Sequence, residues 1–492
     1  MARRKMSTFE RLQRLQKGQL SRKQRKQLER EFRAEDPAWE IVHPHAAGID
    51  VGSASHFVAV APGKDPQPVR EFGSWTAALQ EMVTWLKGCG IQTVVLQSTG
   101  VYWVALYDQL EKAGFDVWLV NARGTKNLPG RKSDVQECQW LRKLHTYGLL
   151  RHSFRPPTEI RAVRAIWRLR ERHIGDAGRS VQHMQKALIT MNVQLAQALS
   201  DISGVSGQAI IRAILGGERD PWKLAQLRDK RVQASAAEVA HSLYGNWREE
   251  TLFELRQAVE AYDFAHQQIT ECDQQLQRYM ATLPTREAAA GVPPTTESVA
   301  AAAGKDHPIP VGKPKRKAAK NQPAFNLDSE VQRVLGVDLT RIDGINIMTA
   351  QVICAELGPD LSCFPSEGHF ASWLTLAPRR EISGGKVIRQ EPGHAKNRVA
   401  NALRMAAESL WNSDSYLGAR YRHFRARLGG KKAVKAMARY LACLIYRMLT
   451  KGQGWVDRGA AHFENNRKER ELMRLKQKAS ALGLQLIPAP SA

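Results

Sequence analysis

The sequence lacks the marks of membrane, secreted and zinc-binding proteins. No apolar run approaches the roughly 18 residues that read as a membrane-spanning helix, and the polar, basic N-terminus has no apolar signal core. The six cysteines lie far apart without a C-x-x-C pair. They are therefore expected to be buried free thiols rather than disulfides or zinc ligands, which predicts a cytoplasmic protein.

Acidic residues are scarce relative to basic ones. Asp and Glu total 48 against 73 Lys and Arg, so the formal net charge is +25. This excess predicts a polyanionic partner, and nucleic acid fits it better than a membrane surface. A length of 492 residues allows two or three domains.

Residues 40–156 predict an α/β domain. Ala46–Val51 and 56–61 are apolar runs joined by Gly-Ser-Ala-Ser, which indicates a hairpin, and a third strand is expected at 69–72. Helices at 77–86 and 104–111 alternate with strands at 93–96 and 116–120. Three strands followed by helix, strand, helix, strand and helix is the order of an RNase H-like fold.

Residues 157–284 predict a helical domain. The stretch from Arg161 to Lys186 contains seven basic residues and two acidic ones, a composition that suits a helix lying along phosphates. Farther on, positions from Leu252 to Leu283 alternate at spacings of three and four, with His266 and Asp273 among apolar residues. A period of 3.5 residues favours a coiled-coil dimer. An antiparallel hairpin within one chain is the alternative.

The remaining segments are less specific. Residues 1–39 predict a basic arm, residues 285–325 a flexible basic linker, and residues 456–492 a basic helical tail. Residues 326–455 form a second, mainly α-helical globular unit. Its Ile342-Asp-Gly-Ile-Asn346, with a weaker echo at Ile202-Ser-Gly-Val-Ser206, is similar to a helix-hairpin-helix turn that offers backbone N–H groups to phosphate. Packing alone would also explain both turns.

Acidic residues follow or end the apolar runs of residues 40–156. Asp50 ends the first strand, and Asp134 and Glu137 share one face if a helix begins near Ser133. Carboxylates of this kind bind Mg²⁺ for phosphoryl transfer. Turn or helix capping is the alternative at each position. Asp50-Val-Gly-Ser53 alone also resembles the phosphate loop of sugar kinases and actin-like ATPases, but no second phosphate loop accompanies it.

A third candidate lies in residues 326–455. Ser383 stands beside Gly384 and Gly385, so its hydroxyl is little crowded and could attack a phosphodiester. An ordinary surface hairpin is the alternative. The candidate nucleic-acid-binding residues are Arg131, Lys132, Arg161, Arg164, Arg168, Arg379, Arg380, Lys386, Arg389, Lys396 and Arg398.

Together these motifs resemble the DEDD transposases of bacterial insertion sequences, the serine recombinases guided by a bridge RNA (seekRNA). The resemblance covers roughly residues 40–150 and 330–455. The matching segments are 45–53, 97–103, 120–123, 126–134, 138–141, 370–378 and 383–386.

The resemblance implies a specific reaction and assembly. Asp50, Asp134 and Glu137, with Gln97 at the remaining position, would hold Mg²⁺ in a Holliday-junction-resolvase type of RNase H domain. Ser383 would form a covalent phosphoserine link to DNA, in a site shared between protomers of a dimer or tetramer. The partners would be donor DNA, target DNA and a structured non-coding bridge RNA, in a bacterial cytoplasmic protein that associates with the nucleoid when bound to DNA.

Two positions depart from the four-acid pattern. Gln97 stands where Glu is usual, and Glu137 stands where Asp is usual. Gln97 offers a carbonyl oxygen without charge, which should weaken metal binding, and the longer Glu137 would partly compensate. A metal nuclease without a serine step, and a non-catalytic nucleic-acid-binding protein, remain the alternatives.

Overall fold

The computed structural model describes most of the chain. It covers residues 24, 40–98, 100–121, 133–286, 321–383, 386–391, 397–452 and 458–485, with only the backbone for 379–383 and 386–391. These residues form two compact units, 1–155 and 156–492. The predicted arm, except for its residue 24, and residues 287–320 of the predicted linker lie outside the described residues.

A five-stranded mixed sheet forms the centre of the first unit. Its strands are β1 (Ala46–Val51), β2 (Ser55–Ala59), β3 (Val69–Gly73), β4 (Thr93–Gln97) and β5 (Asp116–Val120). Their order is β3-β2-β1-β4-β5. The first three pair antiparallel, and β1, β4 and β5 pair parallel. This mixed sheet is consistent with the RNase H-like fold predicted from the sequence.

Three helices cover the two faces of this sheet. They are α1 (Thr76–Gly88), α2 (Trp103–Lys112) and α3 (Asp134–Thr146). Ile49 of β1 belongs to one buried cluster with Leu79 of α1 and Leu106 of α2. On the other face Val95 of β4 packs with Leu141 of α3. Because strand side chains alternate, each face of the central strands buries its own apolar set.

Gly48 lets α3 approach β1 closely. A Cβ at this position would lie 2.4 Å from the carbonyl oxygen of Cys138 and 2.3 Å from the backbone nitrogen of Arg142. No side chain fits in that space, so the glycine sets the depth at which α3 lies on the sheet.

The second unit begins with a helical segment. Its helices are α4 (Thr158–Thr190), α5 (Leu195–Ala198), α6 (Val205–Leu215), α7 (Pro221–Ala225), α8 (Ala236–Ser242) and α9 (Glu249–Thr282). The two long helices α4 and α9 pack side by side. Arg170 of α4 pairs with Asp273 of α9, whereas Met184 and Leu188 cluster with Leu255. The two helices therefore run antiparallel.

This packing bears on the 3,4 pattern of α9. Most of its positions are buried, including Leu255, Val259, Asp273 and Leu276, while His266 is exposed. Packing against α4 of the same chain accounts for that burial, as the intrachain hairpin alternative requires. The coiled-coil dimer stays a prediction.

The rest of the second unit is mainly helical, as predicted. Its helices are α10 (Leu327–Leu335), α11 (Ile347–Leu357), α12 (Glu367–Trp373), α13 (Arg398–Ser409), α14 (Tyr416–Leu428), α15 (Gly430–Lys451) and α16 (Gly459–Ala481). Strands β6 (Arg379–Ser383) and β7 (Lys386–Glu391) form an antiparallel hairpin. No helix within the described ranges is long and apolar enough to cross a membrane.

The helix-hairpin-helix prediction concerned the turn between α10 and α11. Gly344 has φ +84° there, and the Asn346 side chain accepts a hydrogen bond from the Thr349 backbone N–H to cap α11. A Cβ on Gly344 would lie 2.6 Å from the carbonyl oxygen of Ala406 in α13. These contacts give the turn a packing role, and its contact with DNA stays a prediction.

Candidate active site

Asp50 and Gln97 occupy the same face and the same end of two neighbouring parallel strands. Gly48 pairs with Val95 and Ile49 with Leu96, so the next positions along are Asp50 and Gln97. The missing Cβ of Gly48 is directed at α3. Because residues two apart share a face, Asp50 and Gln97 are directed to the α3 side at the carboxyl edge of the sheet. Gln97 is buried there and Asp50 is half-buried.

Helix α3 runs opposite to these strands, which brings its first turn to the same edge. Near its end, His145 Nε2 lies 2.8 Å from Thr93 Oγ1, and Thr93 pairs with Ala46 at the start of β1. Four strand residues from Ala46 to Asp50 span about 13 Å. Eight helical residues from His145 back to Glu137 span about 12 Å. The start of α3 therefore lies beside the Asp50 end of β1.

The first turn of α3 carries both of the other predicted acidic residues. Ser133 is the N-cap, and its side chain accepts a hydrogen bond from the Gln136 backbone N–H at 3.3 Å. This is the cap that the capping alternative for this segment requires. Asp134 and Glu137 sit in the first turn, where the helix dipole stabilises negative charge.

Cys138 experiences the charge of this edge. Burial, reinforced by the carboxylates of Asp50 and Asp134, raises the pKa of its thiol to about 12. The thiol therefore stays protonated, and its Sγ lies 3.1 Å from the Val135 carbonyl oxygen. A carboxylate from β1 and one from α3 thus act on the same buried atom, which supports the convergence of the two elements.

These side chains suit a hard cation. Asp50, Asp134 and Glu137 offer carboxylate oxygens and Gln97 an amide oxygen, the ligand class of Mg²⁺. Within the described ranges, no group of three or more His, Cys, Asp and Glu side chains is arranged to hold a metal ion. Mg²⁺ usually binds through one or two carboxylates, retained waters and substrate phosphates. The chemical class of these donors fits Mg²⁺, and metal binding at this edge stays a prediction.

Ser383 ends β6 and pairs with Lys386 across the hairpin turn. The backbone therefore forms a hairpin, which was also the structure expected if Ser383 has no catalytic role. A nucleophilic role for Ser383 stays a prediction. The side chains of Arg379, Arg380, Lys386 and Arg389 lie outside the description, as do residues Arg131, Lys132 and Lys396 entirely.

The four remaining candidate arginines make contacts within the second unit. Arg161 Nη2 donates to Thr158 Oγ1 at 2.6 Å. Arg168 donates to both carboxylate oxygens of Glu356 at 2.7 and 2.6 Å, and Arg164 Nε lies 3.3 Å from Glu356 Oε2. Arg398 pairs with Glu171. Part of the positive charge assigned to phosphate therefore holds α4, α11 and α13 together.

Sequence reasoning missed two residues that organise these regions. Glu356 is the only charged residue of the apolar helix α11 and is buried, a pattern that predicts an ion pair because buried charges need partners. Gly48 interrupts a buried strand two residues before Asp50, which signals a close backbone approach. The cysteine prediction was wrong for Cys363, which is exposed, whereas four of the six free thiols are buried and Cys443 is intermediate.

Comparison with known proteins is consistent with this arrangement. Residues 47–192 match the family model DEDD_Tnp_IS110, described as a transposase, and residues 338–422 match the transposase IS116/IS110/IS902 family. The chain is also 30% identical over 130 residues to the insertion element IS110 uncharacterized 43.6 kDa protein of Streptomyces coelicolor. That stretch covers 26% of this chain and 31% of the relative, so the chain spans about a third of the length of the curated relative it matches. Two separate stretches of this chain, residues 47–192 and 338–422, are therefore similar to IS110-family transposases.

Proposed function

We propose that the protein is the transposase of an insertion sequence, which cuts and exchanges DNA strands with a bound metal ion and a serine nucleophile. The metal ion would bind at the end of the sheet where Asp50, Gln97, Asp134 and Glu137 lie, which is called the carboxylate edge below. The observation that carries the proposal is the meeting of Asp50 and Gln97 with the first turn of α3 at one edge of the sheet. The two matched family regions support the assignment to DNA. The net charge of +25 suits a polyanionic substrate.

Asp50, Asp134 and Glu137 would hold Mg²⁺ at this edge, with the Gln97 carbonyl oxygen beside them. When bound, the ion supplies Lewis-acid stabilisation of charge on the transferring phosphoryl group. The four side chains fix the position of the ion relative to the sheet. The N-terminus of α3 adds a positive potential beside Asp134 and Glu137.

Ser383 would act as the nucleophile. Its Oγ forms a bond to the phosphorus of a phosphodiester and loses its proton, while the bond from phosphorus to one deoxyribose oxygen breaks and that oxygen gains a proton. Attack by another strand's hydroxyl on the phosphoserine reverses these steps and completes the exchange. Gly384 and Gly385 follow Ser383 in the sequence and leave its hydroxyl little crowded.

The proposal extends to the partners. A structured non-coding bridge RNA would select donor and target DNA by base pairing, and the site would be assembled between protomers of a dimer or tetramer. Protein purified without nuclease treatment should carry a discrete RNA. The sequence of this RNA should pair with both the element ends and the target. The mass of the purified protein should correspond to an oligomer.

The central experiment is Mg²⁺-dependent trapping of DNA on the protein. The wild type should form a covalent adduct with a DNA substrate, Ser383→Ala should form none and should not cut, and Glu137→Gln should abolish cleavage. Ser362→Ala removes an exposed serine from the same unit and serves as the matched control.

Three outcomes would contradict parts of the proposal. Cleavage that persists in Ser383→Ala would indicate a metal nuclease without a serine step. Wild-type binding without cleavage or adduct would indicate a non-catalytic nucleic-acid-binding protein. Full activity of Glu137→Gln would remove Glu137 from the metal site.

A further inference from the structure

Two aromatic side chains lie exposed at the carboxylate edge of the sheet. Trp75 is 81% exposed and Tyr102 is 50% exposed. Burying such large rings contributes strongly to stability, so two rings left in water at one edge are available to bind a partner.

The sheet topology places both rings on the same edge as Asp50. Strand β3 is antiparallel to β2, which is antiparallel to β1, so β3 runs in the direction of β1 and ends at Gly73 on that edge. Trp75 follows two residues later, and the Ser74 backbone N–H donates to the Ala54 carbonyl oxygen in the β1–β2 turn at 3.0 Å.

Tyr102 follows the end of β4, on the other side of β1. With the order β3-β2-β1-β4, three interstrand spacings, about 14 Å, separate β3 from β4, the strands after which Trp75 and Tyr102 follow. Asp50 of β1 lies between them. Both rings therefore lie at the edge that carries Asp50, at the starts of the helices α1 and α2 that cover the face of the sheet opposite to α3.

Each ring lies against a glycine. Tyr102 Cδ2 and Cε2 lie 3.3 Å from the position that a Cβ on Gly100 would take, and Gly100 has φ +56°. Trp75 Cδ1 lies 3.4 Å from the corresponding position on Gly73. Main chain thus backs both rings, which limits their movement while leaving surface open to solvent.

The aromatic neighbour of Tyr102 lies in a different environment. Trp103 packs against the core of the first unit, its Nε1 donates to the Gly100 carbonyl oxygen at 3.2 Å, and the Arg155 guanidinium lies 5.2 Å from its ring centroid. Two adjacent aromatic residues thus have opposite environments. Trp103 fixes the segment, and Tyr102 remains available for binding.

We propose that Trp75 and Tyr102 stack on bases of an unpaired DNA strand that passes over the carboxylate edge. This inference rests on the proposed function, because it needs a strand to pass over Asp50. Every base offers an aromatic face, so stacking tolerates any sequence. That tolerance suits a protein whose carboxylate edge must accept DNA strands of different sequences.

The test compares base-containing and abasic DNA. A fluorescein-labelled oligothymidine strand and a strand of equal length with abasic sites in place of its central bases are titrated with the full-length protein without Mg²⁺. Wild type should bind the first strand at least about fivefold more tightly, as the loss of one stacked base predicts. Trp75→Ala and Tyr102→Ala should each reduce this preference, and the double variant should remove it.

Matched controls remove exposed aromatic residues elsewhere. Trp222 is 54% exposed and Tyr244 is 58% exposed, both in the second unit. Trp222→Ala and Tyr244→Ala should keep the wild-type preference. Trp75→Phe and Tyr102→Phe should largely restore it, because both keep a ring.

A base preference that survives in the double variant would overturn the proposal. So would a changed oligomeric mass of that variant with an unchanged preference, since the rings would then contact a second copy of the chain. Asp134→Asn separates this proposal from the function itself, because it should lose cleavage and keep the preference. A ring-dependent preference in a wild type that never cuts would sustain the stacking and refute the proposed function.

Discussion

Thr93 Oγ1 of β4 and His145 Nε2 of α3 lie 2.8 Å apart inside the first unit. This contact joins the end of α3 to the start of the parallel strands, so it sets which end of the helix meets Asp50. The ring of His43 stacks on His145 with centroids 4.5 Å apart. His145 Nδ1 is buried and makes no hydrogen bond.

His145 predicts acid sensitivity of the first unit. Burial, with the nearby His43 charge as a smaller cause, lowers the pKa of His145 to about 4. Between about pH 6.5 and 4 the unfolded chain binds a proton there that the folded chain does not, so stability falls as pH falls through this window. A shift of this size corresponds to about 3 kcal/mol.

The measurement is urea unfolding of the first unit, followed by near-ultraviolet circular dichroism at several pH values. Asp116 and His152 also face His145 and act in opposite directions, so the decisive comparison is with His145→Gln. That variant should show a shallower loss of stability between pH 6.5 and 4. Equal slopes for the two proteins would remove His145 as the cause.

Gly48→Ala should displace α3 from the sheet. Its Cβ would overlap the main chain at Cys138 and Arg142, which cannot move aside as a flexible side chain can. We expect a loss of about 1–3 kcal/mol in unfolding free energy, typical of overpacking, and a larger proportional loss of cleavage. Gly88→Ala, at the end of α1 with nothing within 4 Å of its Cβ, is the control. Wild-type stability and activity in Gly48→Ala would contradict the close approach.

Gln97→Glu should strengthen metal binding at the carboxylate edge. A unit charge a few ångströms from a cation contributes on the order of 1–4 kcal/mol in a partly solvated site. The Mg²⁺ concentration for half-maximal cleavage should therefore fall roughly tenfold, which is about 1.4 kcal/mol.

Gln92→Glu is the matched control for that experiment. Gln92 is exposed and precedes the opposite end of β4, about 16 Å from Gln97 along the strand. It adds the same charge to the protein away from the edge, so it should leave the Mg²⁺ dependence unchanged. An equal effect of both variants would mean that Gln97 does not face the metal.

The sheet could be predicted from the sequence because its strands are apolar runs bounded by turn residues, as at Ala46–Val51 and Thr93–Gln97. The direction of α3 relative to β1 depends on Gly48 and on the Thr93–His145 contact, which join residues far apart in the chain. Charge counts also could not separate arginines that bind phosphate from those, such as Arg168, that pair with Glu356. The residues that Asp50 meets across the fold lie beyond any local pattern.

The antiparallel pair α4–α9 also shows what a local pattern cannot decide, since a 3.5-residue period buries one stripe of α9 whether the partner helix is in the same chain or another.

Arg170 and Asp273 form a buried ion pair between α4 and α9. Removing one partner leaves an uncompensated buried charge, so Asp273→Asn should cost about 3–5 kcal/mol in unfolding free energy. Replacing both, as Arg170→Met with Asp273→Leu, should recover most of that loss. The exposed pair Arg212–Asp263 joins α6 to α9, and Asp263→Asn should cost less than about 1 kcal/mol. Urea unfolding monitored by helical circular dichroism measures all three, and a double variant no more stable than Asp273→Asn would show that the pair itself, rather than relief of its desolvation, holds the hairpin together.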